Sequence, residues 1–252
     1  MAKQKGYMPI QGTVGNLTFY KTDGEYAVRQ KSSLDGKRIA NDPKFQRTRE
    51  NGQEFRKAGK AAKILRSAIN PLLQRAGDKR VTARIVQKMH NALKADPDNA
   101  RGERTVENGN LLVLQGFECN AASLLDSIFH TPFTAAIDRT TGNASVQIPA
   151  MRPGSRISRP KGCTHYSLQL LAAAVDFEAE VFDQAITATA ELPLTDEEQA
   201  ALTLTVQLPP ESTRHIFLVM SIEFYQQLNN RFYHLSNGSH AAMQVVAVAP
   251  KA

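Results

Sequence analysis

Few residues of this 252-residue chain have the types and spacing for chemistry. In "CTH", Cys163 and His165 put a thiol and an imidazole on one side of an expected strand. Such a pair is half of a metal site, or the beginning of a Cys–His nucleophile. A zinc site needs a second pair of ligands, and the sequence offers none. A nucleophilic thiol needs a group to orient the imidazole and a helix start to lower its pKa, and both are missing. The pair therefore reads as packed side chains. His90, His130, His165, His215, His234 and His240 form no HxH, HExxH or HxxxH spacing. "GTVGN" at 12–16 is not a phosphate loop, because no helix follows it and no lysine is correctly placed. No GxSxG occurs. Asp196, Glu197 and Glu198, in "LTDEEQAA", read as a helix start with acids near its positive end. The resulting expectation is a protein that is not an enzyme, with no catalytic residue, no metal and no cofactor.

What remains is charge. "EFRKAGKAAKILRSAI", residues 54–69, begins with one acid and continues with Arg56, Lys57, Lys60, Lys63 and Arg66. Further on, Arg80, Arg84 and Lys88 recur every four residues and stack on one helix face, with no acid between Lys79 and Lys94. Like charges at this spacing cost a helix about 0.2–0.5 kcal/mol per pair. Two helices with basic stripes point to an anion outside the helices. Arg56, Lys57, Lys60, Lys63, Arg80, Arg84 and Lys88 are therefore the candidate residues for binding an anion or a partner. Three readings stay open: a solvated face, an acidic protein surface that includes another copy of the chain, and nucleic acid held by its backbone. No zinc finger, RNA-recognition signature or basic zipper accompanies them. Gly52, Ala58, Gly59, Ala61 and Ala62 also leave the first of these helices thin, which suits close packing in an oligomer as well as high helix propensity.

The elements that carry these residues follow from periodicity. Residues 7–31 alternate over short runs punctuated by "TVGN" and "KTDG", predicting two or three strands with Leu17, Phe19, Tyr26 and Val28 buried. Residues 32–42 read as a loop, and Asp42-Pro43 as a helix start. Helices are expected at about 43–50, 53–69 and 79–95, with a short turn of helix in "PLLQRA". On the second, Phe55, Ala58, Ala62, Leu65 and Ile69 fall within about 80° of one another, opposite Arg56, Lys60 and Lys63. A continuous helix would place Phe45 among the cations, so a bend near Asn51-Gly52 is expected. On the third, Val81, Ile85, Met89 and Leu93 form the apolar side. After residue 105, strands or hairpins are expected in "NLLVLQGFECN", "FTAAIDRTTGNASVQIP", "THYSLQLLAAAVDF", "AITATAEL", "ALTLTVQL", "RHIFLVMSIEFYQQL" and "AAMQVVAVAP". "RFYHLSNGSH" reads as a hairpin turning at Asn-Gly. "AASLLDSIF" reads as a helical crossover, and "MRPGSRISRPKG" as a loop.

The charge is divided unequally. Residues 1–105 hold 23 Lys and Arg against 10 Asp and Glu, while residues 106–252 hold 8 against 14. Opposite signs allow the two parts to attract each other, within one molecule or between copies. No stretch of eighteen apolar residues exists, so no membrane span is expected, and no signal peptide is read at the N-terminus. The sequons at Asn16, Asn143 and Asn237 are accordingly read as chance matches. Cys119 and Cys163 read as reduced thiols, with a pairing between them left open.

The run "MAKQKG…GTVGNLTFYKTDGEYAVRQK…DGKRIANDPKFQRTRENGQEFRKAGKAAKILRSA" resembles the opening of an uncharacterised protein family of Bacteroidota. The likeness lies in the N-terminal hairpin, the Asn-Asp-Pro helix start and "FQRTREN", and covers residues 1 to about 95. It implies no activity, cofactor or site.

The expected fold is α+β: an N-terminal β-meander, a basic helical section and a C-terminal antiparallel β-sandwich, in two domains at 1–105 and 106–252. The expected function is a non-enzymatic structural or assembly protein forming a filament, phage-like particle or surface layer. Charge complementarity between copies would hold it in part. The alternative is sequence-nonspecific nucleic-acid binding through the basic helices. The expected partners are the chain itself as a homo-oligomer, then nucleic acid or an acidic protein surface. The expected location is the cytoplasm at synthesis, and then a released particle or filament.

Overall fold

The structure is a computed structural model and describes residues 2–4, 9–22, 24–31, 36–235 and 240–251. It is a mixed α+β chain with antiparallel sheets, in two compact units, residues 1–50 and 51–252. The expected boundary between 105 and 106 differs from this one. The reason is that the basic helices share a core with the strands that follow them.

The first unit holds β1 (Ala2–Lys3), β2 (Gly12–Val14), β3 (Leu17–Thr22) and β4 (Glu25–Gln30), ordered β1-β4-β3-β2. Gly15, at φ +57°, makes the tight turn from β2 to β3. The register puts Val14, Leu17, Phe19, Tyr26 and Val28 on one face, with Lys21 and Gln30 at its ends. Thr13, Thr18, Tyr20 and Arg29 lie on the other, beside the Lys3–Glu25 ion pair. The apolar face is not a core as expected. Leu17 is 45% exposed and Val14 64%, while Phe19, Tyr26 and Val28 are half-buried. Ala27, on the opposite face, is the one buried hydrophobic residue among those described here. Residues 36–41, expected as loop, form α1 (Gly36–Asn41), closed by an Arg38–Asp42 pair one turn apart. Asp42 then caps a 3-10 turn (Pro43–Phe45), its carboxylate accepting from the Lys44 N–H at 3.0 Å. Asp23 and residues 32–35, part of the sequence reading of this region, lie outside the described residues.

α2 (Gln46–Ala68) runs unbroken through Asn51 and Gly52. The expected bend is absent because Phe45 belongs to the 3-10 turn and never joins the helix face. α3 (Asn70–Ala76) and α4 (Val81–Lys94) follow. Val81, Ile85, Met89 and Leu93 are buried as the spacing requires. The α2 stripe is rotated from expectation: Glu54, 2% exposed, occupies its first position, and Phe55 is 60% exposed. "NLLVLQGFECN" is a 3-10 turn (Leu111–Leu114) packed on α4 and not a strand. The chain continues with α5 (Leu125–Ile128), β5 (Thr134–Asp138), β6 (Asn143–Ile148) and α6 (Pro153–Arg156), a single turn inside the expected loop. β7 (His165–Asp176), β8 (Val181–Ala188), β9 (Leu192–Pro193) and β10 (Leu202–Gln207) come next. The chain ends with β11 (His215–Leu228), β12 (Arg231–His234) and β13 (Ala242–Ala249). Residues 196–198 form no helix, contrary to the "TDEE" reading.

β10, β6 and β5 make a small sheet. The larger sheet centres on β11 paired with β7, from His215–Val175 to Tyr225–His165. β8 and β9 flank β7, while β12 and β13 flank β11. Side chains alternate along β7 and β11. Leu171, Ala173, Val175, Phe217 and Val219 pack into one core with α2, α3 and α4. Leu168, Leu170, Ala172, Leu218 and Met220 pack into a second core with Val146, Leu204 and Val206 of the small sheet. Burial on both faces explains why β7 and β11 read as near-continuous apolar runs.

Candidate anion-binding surface

The seven candidate cations lie on α2, on α4 and at the N-cap of α4, and they have different fates. The Lys57 Nζ donates to the Glu103 carbonyl at 2.7 Å and stands 3.7 Å from its carboxylate. Lys60 pairs with Glu180 at 3.0 Å. The two lysines line a cavity of about 440 Å³ together with Glu107, Glu178 and Glu180, so this part of the stripe faces acids of its own chain. Arg84 is held most firmly. It meets the Asp78 carboxylate at 2.5 Å, donates to the carbonyls of Glu118 and Cys119, and lies over the Phe117 ring. Burial tends to raise the Asp78 pKa, but N–H donors from Ala121 and Arg80, with the Arg84 charge, bring it below the usual value. The Arg80–Arg84–Lys88 stack is thus relieved at its centre from within the chain. Arg56, Lys63, Arg80 and Lys88 form no ion pair among the described residues.

α2 and α4 lie side by side in opposite directions. Arg66 on α2 donates to the Thr82 hydroxyl on α4 at 2.8 Å, and Phe55 meets the His90 ring edge-on at 6.2 Å. Around Phe55 the two helices and the 101–104 segment line an open cleft of about 650 Å³. Glu54 forms its buried floor, accepting from the Gly102 N–H at 2.9 Å with Arg104 at 3.9 Å. Lys94, Arg101 and Arg104 bring three cations to it. The Nε2 of His90 and the Nε of Arg104 are buried without a hydrogen-bond partner among the described residues. Burial, with Lys94 nearby, lowers the His90 pKa against the opposing pull of Glu54. Glu54, Phe55, His90, Lys94, Arg101 and Arg104 were not among the candidate binding residues read from sequence, which placed Phe55 in the core. The available signal was an acid on the apolar stripe followed by an aromatic, with glycines at 52 and 59 one turn to either side.

A second polar cluster was also missed. Glu223, buried on β11, takes the Arg75 guanidinium at 3.1 Å and the Tyr225 hydroxyl at 2.8 Å, with His234 at 3.6 Å. Burial and the Glu223 carboxylate push the Tyr225 pKa up. Cys163 donates its thiol to the His165 carbonyl, while the imidazole Nδ1 lies 2.9 Å from the Thr164 hydroxyl. Both cysteines are free, and burial pushes the Cys119 pKa up to about 12. Among the described residues no three His, Cys, Asp or Glu are grouped to hold a metal ion, and no helix is long and apolar enough to cross a membrane. No protein-family model and no curated protein matches the chain.

Proposed function

We propose that the protein is a non-enzymatic assembly protein whose copies join through the apolar face of the first unit's sheet. Val14 and Leu17 on that face carry the reading: they are 64% and 45% exposed, and among the described residues of their unit Ala27 alone is a buried hydrophobic. Covering the face removes apolar surface from water, and a second copy offers the same self-complementary face. In this reading the first unit is the joining β-meander. The sheets of residues 134–249 form the β-sandwich body of a filament, phage-like particle or surface layer. The likeness of residues 1–95 to a Bacteroidota family belongs to the same reading. Charge between copies has a smaller part than the sequence suggests, since Lys57, Lys60 and Arg84 find partners in their own chain. Arg56, Lys63, Arg80 and Lys88 remain for it. Sedimentation velocity over a range of concentrations, at low and high salt, tests the proposal. Association that persists in high salt supports apolar joining, and a monomer at the highest soluble concentration overturns it.

A further inference from the structure

Single-stranded nucleic acid is the ligand that the cleft around Phe55 fits, and we infer that it binds there, with one base stacked on the Phe55 ring. The inference is independent of self-association through the first sheet.

The ring is 60% exposed, and the cleft it lines also holds Lys94, Arg101 and Arg104. Residues 51–95 contain two acids, Glu54 and Asp78. Glu54 is buried against the Gly102 N–H with Arg104 beside it, and Asp78 is bound to Arg84, so neither acid meets Arg56, Lys63 or Lys94. Lys94 lines the same cleft as the ring, Arg101 and Arg104 line it while held by Asn51 and Glu54, and Arg56 and Lys63 lie on the same helix as Phe55. A ligand that satisfies this surface carries several negative charges and one flat apolar face.

The space beside the ring is clear. Gly52 and Gly59 lie one helical turn before and after Phe55, and a Cβ at either would meet nothing within 4 Å. Neither has the left-handed backbone that calls for glycine. Nothing among the described residues requires them, although each weakens the helix relative to alanine. Clearance at these two points leaves room for a planar group to lie against the ring. An acidic protein surface would use the cations but not the ring. A duplex keeps its bases stacked inside, whereas a single strand presents unstacked bases to an aromatic and phosphates to nearby cations. No base-edge reading is implied, so sequence preference is weak.

The test is fluorescence anisotropy with a labelled 15-residue oligothymidine, the corresponding duplex and polyglutamate of matched charge. The expected result is tighter binding of the single strand than of either competitor. Phe55→Ala should weaken it roughly 5- to 150-fold, the span of one lost base–aromatic stack, with the salt slope unchanged. Lys94→Ala should instead lower the slope of log affinity against log salt by about 0.7. Phe55 is exposed, so its loss leaves the fold intact, which circular dichroism checks. Undetectable binding at low salt, equal binding of duplex or polyglutamate, or a Phe55→Ala variant that binds as wild type would each overturn the inference.

Discussion

Replacing Val14 and Leu17 together by threonine should dissolve the assembly while leaving the protomer folded. Fully covering a valine or leucine side chain is worth about 1.5–3 kcal/mol. Val14 has 64% of its surface still exposed and Leu17 45%. Covering the remainder is then worth about 1–2 kcal/mol for Val14 and roughly 0.7–1.4 for Leu17. An isologous contact counts each residue twice, giving about 3–7 kcal/mol across the pair. Threonine keeps strand propensity but brings a hydroxyl to the contact. A loss of about 4 kcal/mol weakens the dimerisation constant roughly a thousandfold. Sedimentation velocity reads the shift, and thermal melting of the dissociated species should change by no more than about 0.5 kcal/mol, as for other exposed positions. Thr18→Val, on the opposite face of the same strand, should leave association unaltered. A Val14→Thr, Leu17→Thr protein that is folded and associates as strongly as wild type would refute the reasoning. So would a Thr18→Val protein that loses association.

Arg84→Met should cost about 2–3 kcal/mol of stability, because it strands the half-buried Asp78 carboxylate and two carbonyls. Lys60→Met should cost less than about 1 kcal/mol, its pair being exposed, and comparison of melting curves separates the two. Asp96 accepts from the Thr105, Asp98 and Asn99 N–H groups, which outweigh its burial and hold its pKa down to about 2. A depressed carboxylate stabilises the fold above its unfolded value near 3.8 and loses that contribution as pH falls towards 2. Asp96→Asn should therefore melt earlier at pH 7 and show a shallower decline below pH 4, measured by denaturant titration. Cys119 should resist thiol reagents in the native protein and react in denaturant, where two thiols per chain should be counted by absorbance.

Helical periodicity was legible wherever one face alone is buried. Val81, Ile85, Met89 and Leu93 show it, since nothing competes with the 3.6-residue spacing. It misled on α2, where Glu54 takes an apolar position because the backbone of Gly102 offers it a hydrogen bond. Phe55 then falls outside, and an angle argument that assigns aromatics to the core cannot detect this. "NLLVLQGFECN" has a strand's composition but folds as a buried 3-10 turn, an ambiguity that short apolar runs always carry. Charge totals were read correctly, but they do not say which parts fold together. The Lys60–Glu180 and Arg75–Glu223 pairs join the basic helices to the acidic strands inside one unit. Glu223 itself stands in an apolar strand, where its partner Arg75 is distant in sequence and invisible to local patterning.

The two-sided burial of β7 and β11 has a consequence for synthesis. The helices leave the ribosome first, and the strip formed by Leu65, Ile85 and Leu93 stays greasy until Phe217 and Val219 have been made. A chain stopped after Thr105 would carry that strip with nothing to close over it, and should be recovered as aggregate. Maturation of this molecule therefore waits on its last strands, which makes its nascent form a natural client for chaperones.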